Sequence, residues 1–218
     1  MFTVGPAFWK PASAGSLLTT FFGENLTTAG TVSGAPVTAR TSFLAALSGT
    51  VANYGFENRS NGDIAPFTFS LANTSGTITA TMTDPGSGSV SNSATGGRFN
   101  TTSGGANYWK CNETGAGGNV LVLTFSPPIS AFGFYGTDIG DFGGSLTLTV
   151  RNSSTLVSTP LSVGNTIGSG GSTSGCLLFF GFKDKTATYD RLTFTSNGST
   201  ADFFGFDDIV AAVAAQVI

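Results

Sequence analysis

A Phe-Gly-Phe triplet occurs three times in this chain, at Phe132-Gly133-Phe134, Phe180-Gly181-Phe182 and Phe204-Gly205-Phe206. Residues two apart on a strand face the same side, so each triplet turns a pair of rings to one face. The glycine between them leaves the other face bare, where another backbone can approach closely. Acidic residues follow each triplet: Asp138 and Asp141, then Asp184, then Asp207 and Asp208. The pattern predicts three core strands of one β-sandwich, each ending in an acidic turn. After the first, Leu146, Leu148 and Val150 alternate with Thr147 and Thr149, the period of a half-buried strand.

Composition agrees with short strands and tight turns. Of 218 residues, 31 are Gly and 20 are Phe, and only 10% are charged, which excludes a disordered chain. The net charge is −3 with the basic residues scattered, so there is no electrostatic footprint for nucleic acid. Cys111 and Cys176 are too few for a disulfide framework; two separate thiols are the preferred reading, with a single bridge between them as the alternative. The start, MFTVGPAFWKPASAG, lacks the basic and continuous apolar regions of a signal peptide. The apolar end, Ile209–Ile218, is half the roughly 20 residues that span a bilayer. Neither export by that route nor a membrane partner is expected.

Residues 1–35 read as an arm, with Phe2, Phe8, Trp9, Phe21 and Phe22 as partner-binding aromatics and Leu17–Phe22 as a candidate strand. Residues 36–218 read as the domain. Pro36–Leu47 is the one helix, with proline in its first turn and Gly49 as its stop. Asn119–Phe125 is apolar on both faces and so central, ended by Pro127-Pro128. Leu146–Arg151 and Leu156–Val163 form a hairpin. About a dozen strands at this spacing give the fold class: all-β, a jelly-roll-like antiparallel β-sandwich with one short helix and an extended N-terminal arm.

Histidine is absent. That removes the usual general base and the commonest metal ligand. Carboxylates remain, and they carry three readings. Asp in turns bonds its own backbone. Glu57, Asp138, Asp141, Asp207 and Asp208 would supply oxygen ligands for calcium, the one cofactor considered. A facing pair about 5–9 Å apart would hydrolyse glycosides. Adjacent strand residues face opposite sides, so at most one of Asp207 and Asp208 is expected to be buried. Tyr108 and Trp109, with Asn112, are the best local candidates for a sugar platform, against the ordinary reading as core and rim aromatics.

Several blocks together resemble a known family: ARTSFLAAL from Ala39, YGFE from Tyr54, GRFNTT from Gly97, FSPPISAFGFYGTDIGDFGGSLTLTV, LLFFGF and DFFGFDDI. They resemble secreted β-sandwich proteins of the PEP-CTERM type over about Ala39 to Ile209. The resemblance implies a non-enzymatic surface or matrix module, similar in outline to carbohydrate-binding jelly rolls. Members carry a signal peptide and a sorting tail, which this sequence does not show. The expectation is therefore a bacteriophage virion protein assembled in the host cytoplasm, a capsid decoration or tail or fibre component that binds itself and coat or tail proteins. The alternative is a carbohydrate-binding adhesion module at the cell surface, with a host glycan as partner.

Overall fold

The structure is a computed structural model that describes residues 17–26, 30–164 and 173–218. Among the described residues, thirteen strands form two antiparallel sheets packed as a jelly-roll-like β-sandwich with one α-helix. The first sheet contains β1 (Leu18–Asn25), β2 (Asn53–Tyr54), β5 (Ser89–Ser91), β6 (Tyr108–Thr114), β8 (Ala131–Thr137), β11 (Leu177–Asp184) and β13 (Ala201–Ala212). Its order is β1-β11-β8-β13-β6-β5, with β2 pairing to β13. The second contains β3 (Phe67–Asn73), β4 (Gly76–Thr83), β7 (Gly118–Ile129), β9 (Leu146–Asn152), β10 (Val157–Val163) and β12 (Tyr189–Ser196), in the order β10-β9-β12-β7-β4-β3. The helix α1 spans Ala35–Ala45. Among the described residues, no helix is long and apolar enough to cross a membrane.

The three triplets lie on adjacent strands β11, β8 and β13 and share one interior. In β8 and β11 they pair in register, Phe132 opposite Phe182, Gly133 opposite Gly181, Phe134 opposite Phe180. Their rings point between the sheets and meet Phe194 of β12, with Phe134 to Phe206 at 4.8 Å and Phe134 to Phe194 at 5.2 Å between centroids. Tilted and edge-on pairs at such distances add to the area they bury.

The bare face made by the glycines is not left for a backbone. It seats a ring. Phe43 of α1 drops onto the outer face of the first sheet over Gly133 and Gly181, where a Cβ would lie 3.2 Å and 3.1 Å from it. Pro36, Ala39 and Phe43 form the buried stripe of α1. A second apolar cluster results, built from Ala39, Phe43, Tyr135, Phe179 and Val210 on the side of the sheet away from the main core. Covered on both faces, β8, β11 and β13 read as nearly continuous apolar runs. Gly133→Val would drive a side chain into Phe179, 2.7 Å from the position of a Cβ. Overpacking of this kind costs about 1–3 kcal/mol, which is the loss expected in chemical denaturation, with α1 displaced.

Several expectations need correction. The segment read as an arm gives a strand to the first sheet, where the candidate strand Leu17–Phe22 is observed. Leu18–Asn25 is an edge strand paired to β11, because alternate side chains there pack under α1. The prolines 127 and 128 do not end β7, which runs to Ile129 and pairs it with Tyr189. The acidic residues of the third triplet are not in a turn: Asp207 and Asp208 lie inside β13. Residues 97–107 form a loop on the outer face of the first sheet.

Candidate functional site

The loop over residues 97–107 and helix α1 stand on either side of β13 on the outer face of the first sheet. Between them opens a cleft of about 670 Å³, within the range of about 300–1,000 Å³ usual for ligand sites. Tyr135 of β8 and Asp208 of β13 form its floor. Asn53 of β2 and the loop residues Asn100, Thr101, Thr102 and Ser103 form one wall, and Val32, Val37 and Arg40 the other.

The floor depends on an irregularity. Pairing of β13 with β8 skips between Asp207 and Val210, and Asp208 sits there at φ 50°. This bulge turns both carboxyls to the outer face, so both are buried, at 1% and 5% exposure. The expectation that at most one would be buried assumed an unbroken pleat.

The loop's donors converge on the pair. Asp207 Oδ2 accepts from Thr101 N (2.6 Å), Thr101 Oγ1 (2.9 Å), Thr102 N (3.3 Å) and Asn100 Nδ2 (3.2 Å). Asp208 Oδ1 accepts from Thr102 Oγ1 (2.7 Å) and from Asn53 Nδ2, and its Oδ2 lies 3.1 Å from Thr101 Oγ1. Burial, and the Asp208 carboxylate beside it, push Asp207 up to about 8, against the pull of the Thr101 amide. One hydroxyl hydrogen cannot serve two carboxylates at once, so the shared Thr101 hydroxyl fits a pair holding one proton between them.

Arg40 is placed differently. Its Nη2 donates to Asn53 Oδ1 at 3.1 Å, its guanidinium lies 5.3 Å from the centre of the Tyr135 ring, and its Nε is buried with no hydrogen-bond partner among the described residues. Burial raises the Tyr135 phenol above its ordinary value, with Arg40 pulling the other way, so at neutral pH it remains an O–H donor.

The five residues grouped as calcium ligands separate into two sets with different partners. Glu57 spends its oxygens on the loop, accepting from Asn100 Nδ2 (2.9 Å) and from the amides of Ala106 and Asn107 (3.0 Å each). Asp138 and Asp141 lie past the end of β8. Asp138 pairs with Arg98 at 3.3 Å, and Thr173 Oγ1 lies 2.7 Å from Asp141 Oδ1 and 3.4 Å from Asp138 Oδ1. Burial, with the neighbouring Asp141 and Asp202, pushes Asp138 up to about 7. No group of three or more His, Cys, Asp or Glu that could hold a metal ion occurs among the described residues.

The expected sugar platform is closed. Trp109 is fully buried in the main core with Nε1 on Asp84 Oδ2 (2.9 Å), and Tyr108 is buried with its hydroxyl on Ser93 O (2.7 Å). Adjacent residues on β6 face opposite sides, and both sides are covered. Only Asn112 is partly exposed. Of the arm aromatics, Phe2, Phe8 and Trp9 lie outside the described residues. Phe21 packs edge-on against Phe43 at 5.5 Å, and Phe22 is 41% exposed. The sequence reading missed Arg40, Asn53, Thr101 and Thr102; the FGFYG and FGFDD blocks that hold Tyr135 and Asp208 were its best pointers.

No family model and no curated protein matches the chain. Among solved structures, the C-terminal family 22 carbohydrate-binding module of Clostridium thermocellum Xyn10B is 15% identical over 76% of this chain and 94% of its own, at a TM-score of 0.42. A cleaved adhesin domain of Lys-gingipain is 14% identical over 75% and 98%, at 0.41. A DUF4465 family protein from Bacteroides ovatus is 12% identical over 91% and 99%, at 0.33. Likenesses this distant carry no argument; the fold assignment rests on the strands and sheets above.

Proposed function

We propose that this domain is a non-catalytic carbohydrate-binding module of a surface or extracellular protein, and that the outer-face cleft is its glycan site. The observation that carries the reading is the cleft itself. A helix, three strands and a loop, each fixed by its own packing, hold hydroxyl, amide and guanidinium groups around one tyrosine. Sugars present closely spaced hydroxyls that need such fixed partners.

What supports binding over reaction is the state of the carboxyls. Glycoside hydrolysis uses two carboxyls on opposite sides of the bond, about 5–9 Å apart. Here Asp207 and Asp208 are neighbours on one strand, joined through one hydroxyl and buried. The virion reading came from the family resemblance and the missing export and anchoring signals; the arm only agreed with it, and the described part of that segment pairs with its own sheet.

Ser103 is exposed at the mouth of the cleft. Ser103→Trp would fill that mouth without touching either apolar cluster. Saccharide binding, found by glycan array and measured by calorimetry, is expected to weaken at least about tenfold in this variant while its melting temperature stays at the wild-type value. Undiminished binding would move the site elsewhere, and absence of any saccharide ligand would end the proposal.

A further inference from the structure

The charges of the cleft are arranged so that they do not cancel. Arg40 and Asp208 line the same hollow, yet Arg40 makes no ion pair among the described residues. Asn53 stands between them. Its Oδ1 accepts from Arg40 Nη2 and its Nδ2 donates to Asp208 Oδ1. The amide therefore gives the guanidinium a neutral carbonyl and gives the carboxylate an N–H.

The carboxyl side is satisfied from within the protein. Asp208 has Asn53, Thr102 and Thr101 as partners, and Asp207 has the amides of Thr101 and Thr102. The cationic side is not. One nitrogen of Arg40 has a partner, a neutral one, and the guanidinium is stacked on Tyr135 and only partly covered. A half-buried guanidinium without a counter-charge is a strong site for a planar anion, which it meets with two parallel hydrogen bonds.

We propose that the cleft selects sugars that carry a carboxylate, that is uronic acids, and that Arg40 is the residue that grips the carboxylate while the Tyr135 hydroxyl and the loop hydroxyls hold the ring. This inference rests on the reading of the cleft as a glycan site. The carboxylate supplies the counter-charge that Asn53 keeps Asp208 from supplying. The remaining hydroxyls of the sugar meet Thr102 and Ser103.

The test uses tetragalacturonate, its methyl ester, tetramannuronate and a neutral tetrasaccharide against the whole chain, by calorimetry with chemical-shift mapping. At least one uronate is expected to bind, and to lose about tenfold or more in affinity on Arg40→Gln, with Arg40→Lys intermediate because it keeps the charge and loses the fork. Esterification is expected to weaken binding to a similar degree. Should Arg40→Gln fail to fold, wild-type affinity for the uronate must still fall with added salt more steeply than for the neutral sugar. Equal affinity for acid and ester, or a neutral sugar preferred in the cleft, overturns the uronate assignment and leaves the glycan reading standing. No shift at the cleft with any saccharide overturns both.

Discussion

Replacing Phe134 with alanine will lower the unfolding free energy by about 3–5 kcal/mol, the range for a fully buried phenylalanine. Its ring lies within 6.4 Å of four others, Phe132, Phe180, Phe194 and Phe206. These come from β8, β11, β12 and β13, so the cavity falls where both sheets meet. The strands on either side are held by their ladders and cannot close in to fill it. Urea denaturation measures this as a fall in midpoint with an unchanged slope. Phe203→Ala is the control: that ring is 38% exposed on the outer face beside Lys110, and its loss is expected to cost less than about 1 kcal/mol. Equal costs at the two positions would mean that the triplets do not share an interior.

The second large effect belongs to Asp207. Asp207→Ala strands the amides of Thr101 and Thr102, which now end on its Oδ2. Each buried donor left without an acceptor costs about 1–3 kcal/mol, so the loop over the cleft is expected to come loose together with glycan binding. The group also sets a pH dependence. Its folded value of about 8 lies above the unfolded carboxylate value of about 4. Between those limits the native state keeps a proton that the unfolded chain has released. Stability is therefore full below about pH 4 and falls as pH rises towards 8, by about 1.4 kcal/mol per unit for one proton. Asp138, at about 7, and Asp202, at about 6, act in the same direction. Unfolding free energies measured from pH 5 to 8 should decline for the wild type and decline less for Asp207→Asn. Parallel slopes would refute the raised value.

The three Phe-Gly-Phe triplets made the core legible before any coordinates, because ring, glycine and ring at period two allow few alternatives on a sheet. The helix, expected over Pro36–Leu47 and observed over Ala35–Ala45, was legible from a first-turn proline and spaced apolar residues. The site was not. It depends on a bulge that turns Asp208 outward, and a bulge is a property of pairing between β13 and β8 that neither strand shows alone. Arg40 and Thr101 are 61 positions apart in sequence and share a cleft only because helix and loop are both laid on the outer face of the first sheet, on either side of β13. Tyr108 and Trp109 follow the ordinary reading as core aromatics that was weighed against a sugar platform, because both faces of the first sheet are covered there.

Phe43 resting on two bare backbone positions has a consequence for how such a domain diversifies. The wall that Arg40 and Val37 present to the cleft belongs to an element clipped onto the sandwich from outside, and none of the cleft-lining side chains belongs to the inter-sheet ring cluster. Preference for one ligand over another can drift through that wall while the scaffold beneath stays the same. The two glycines are where such freedom ends, since any larger residue there unseats the whole wall at once.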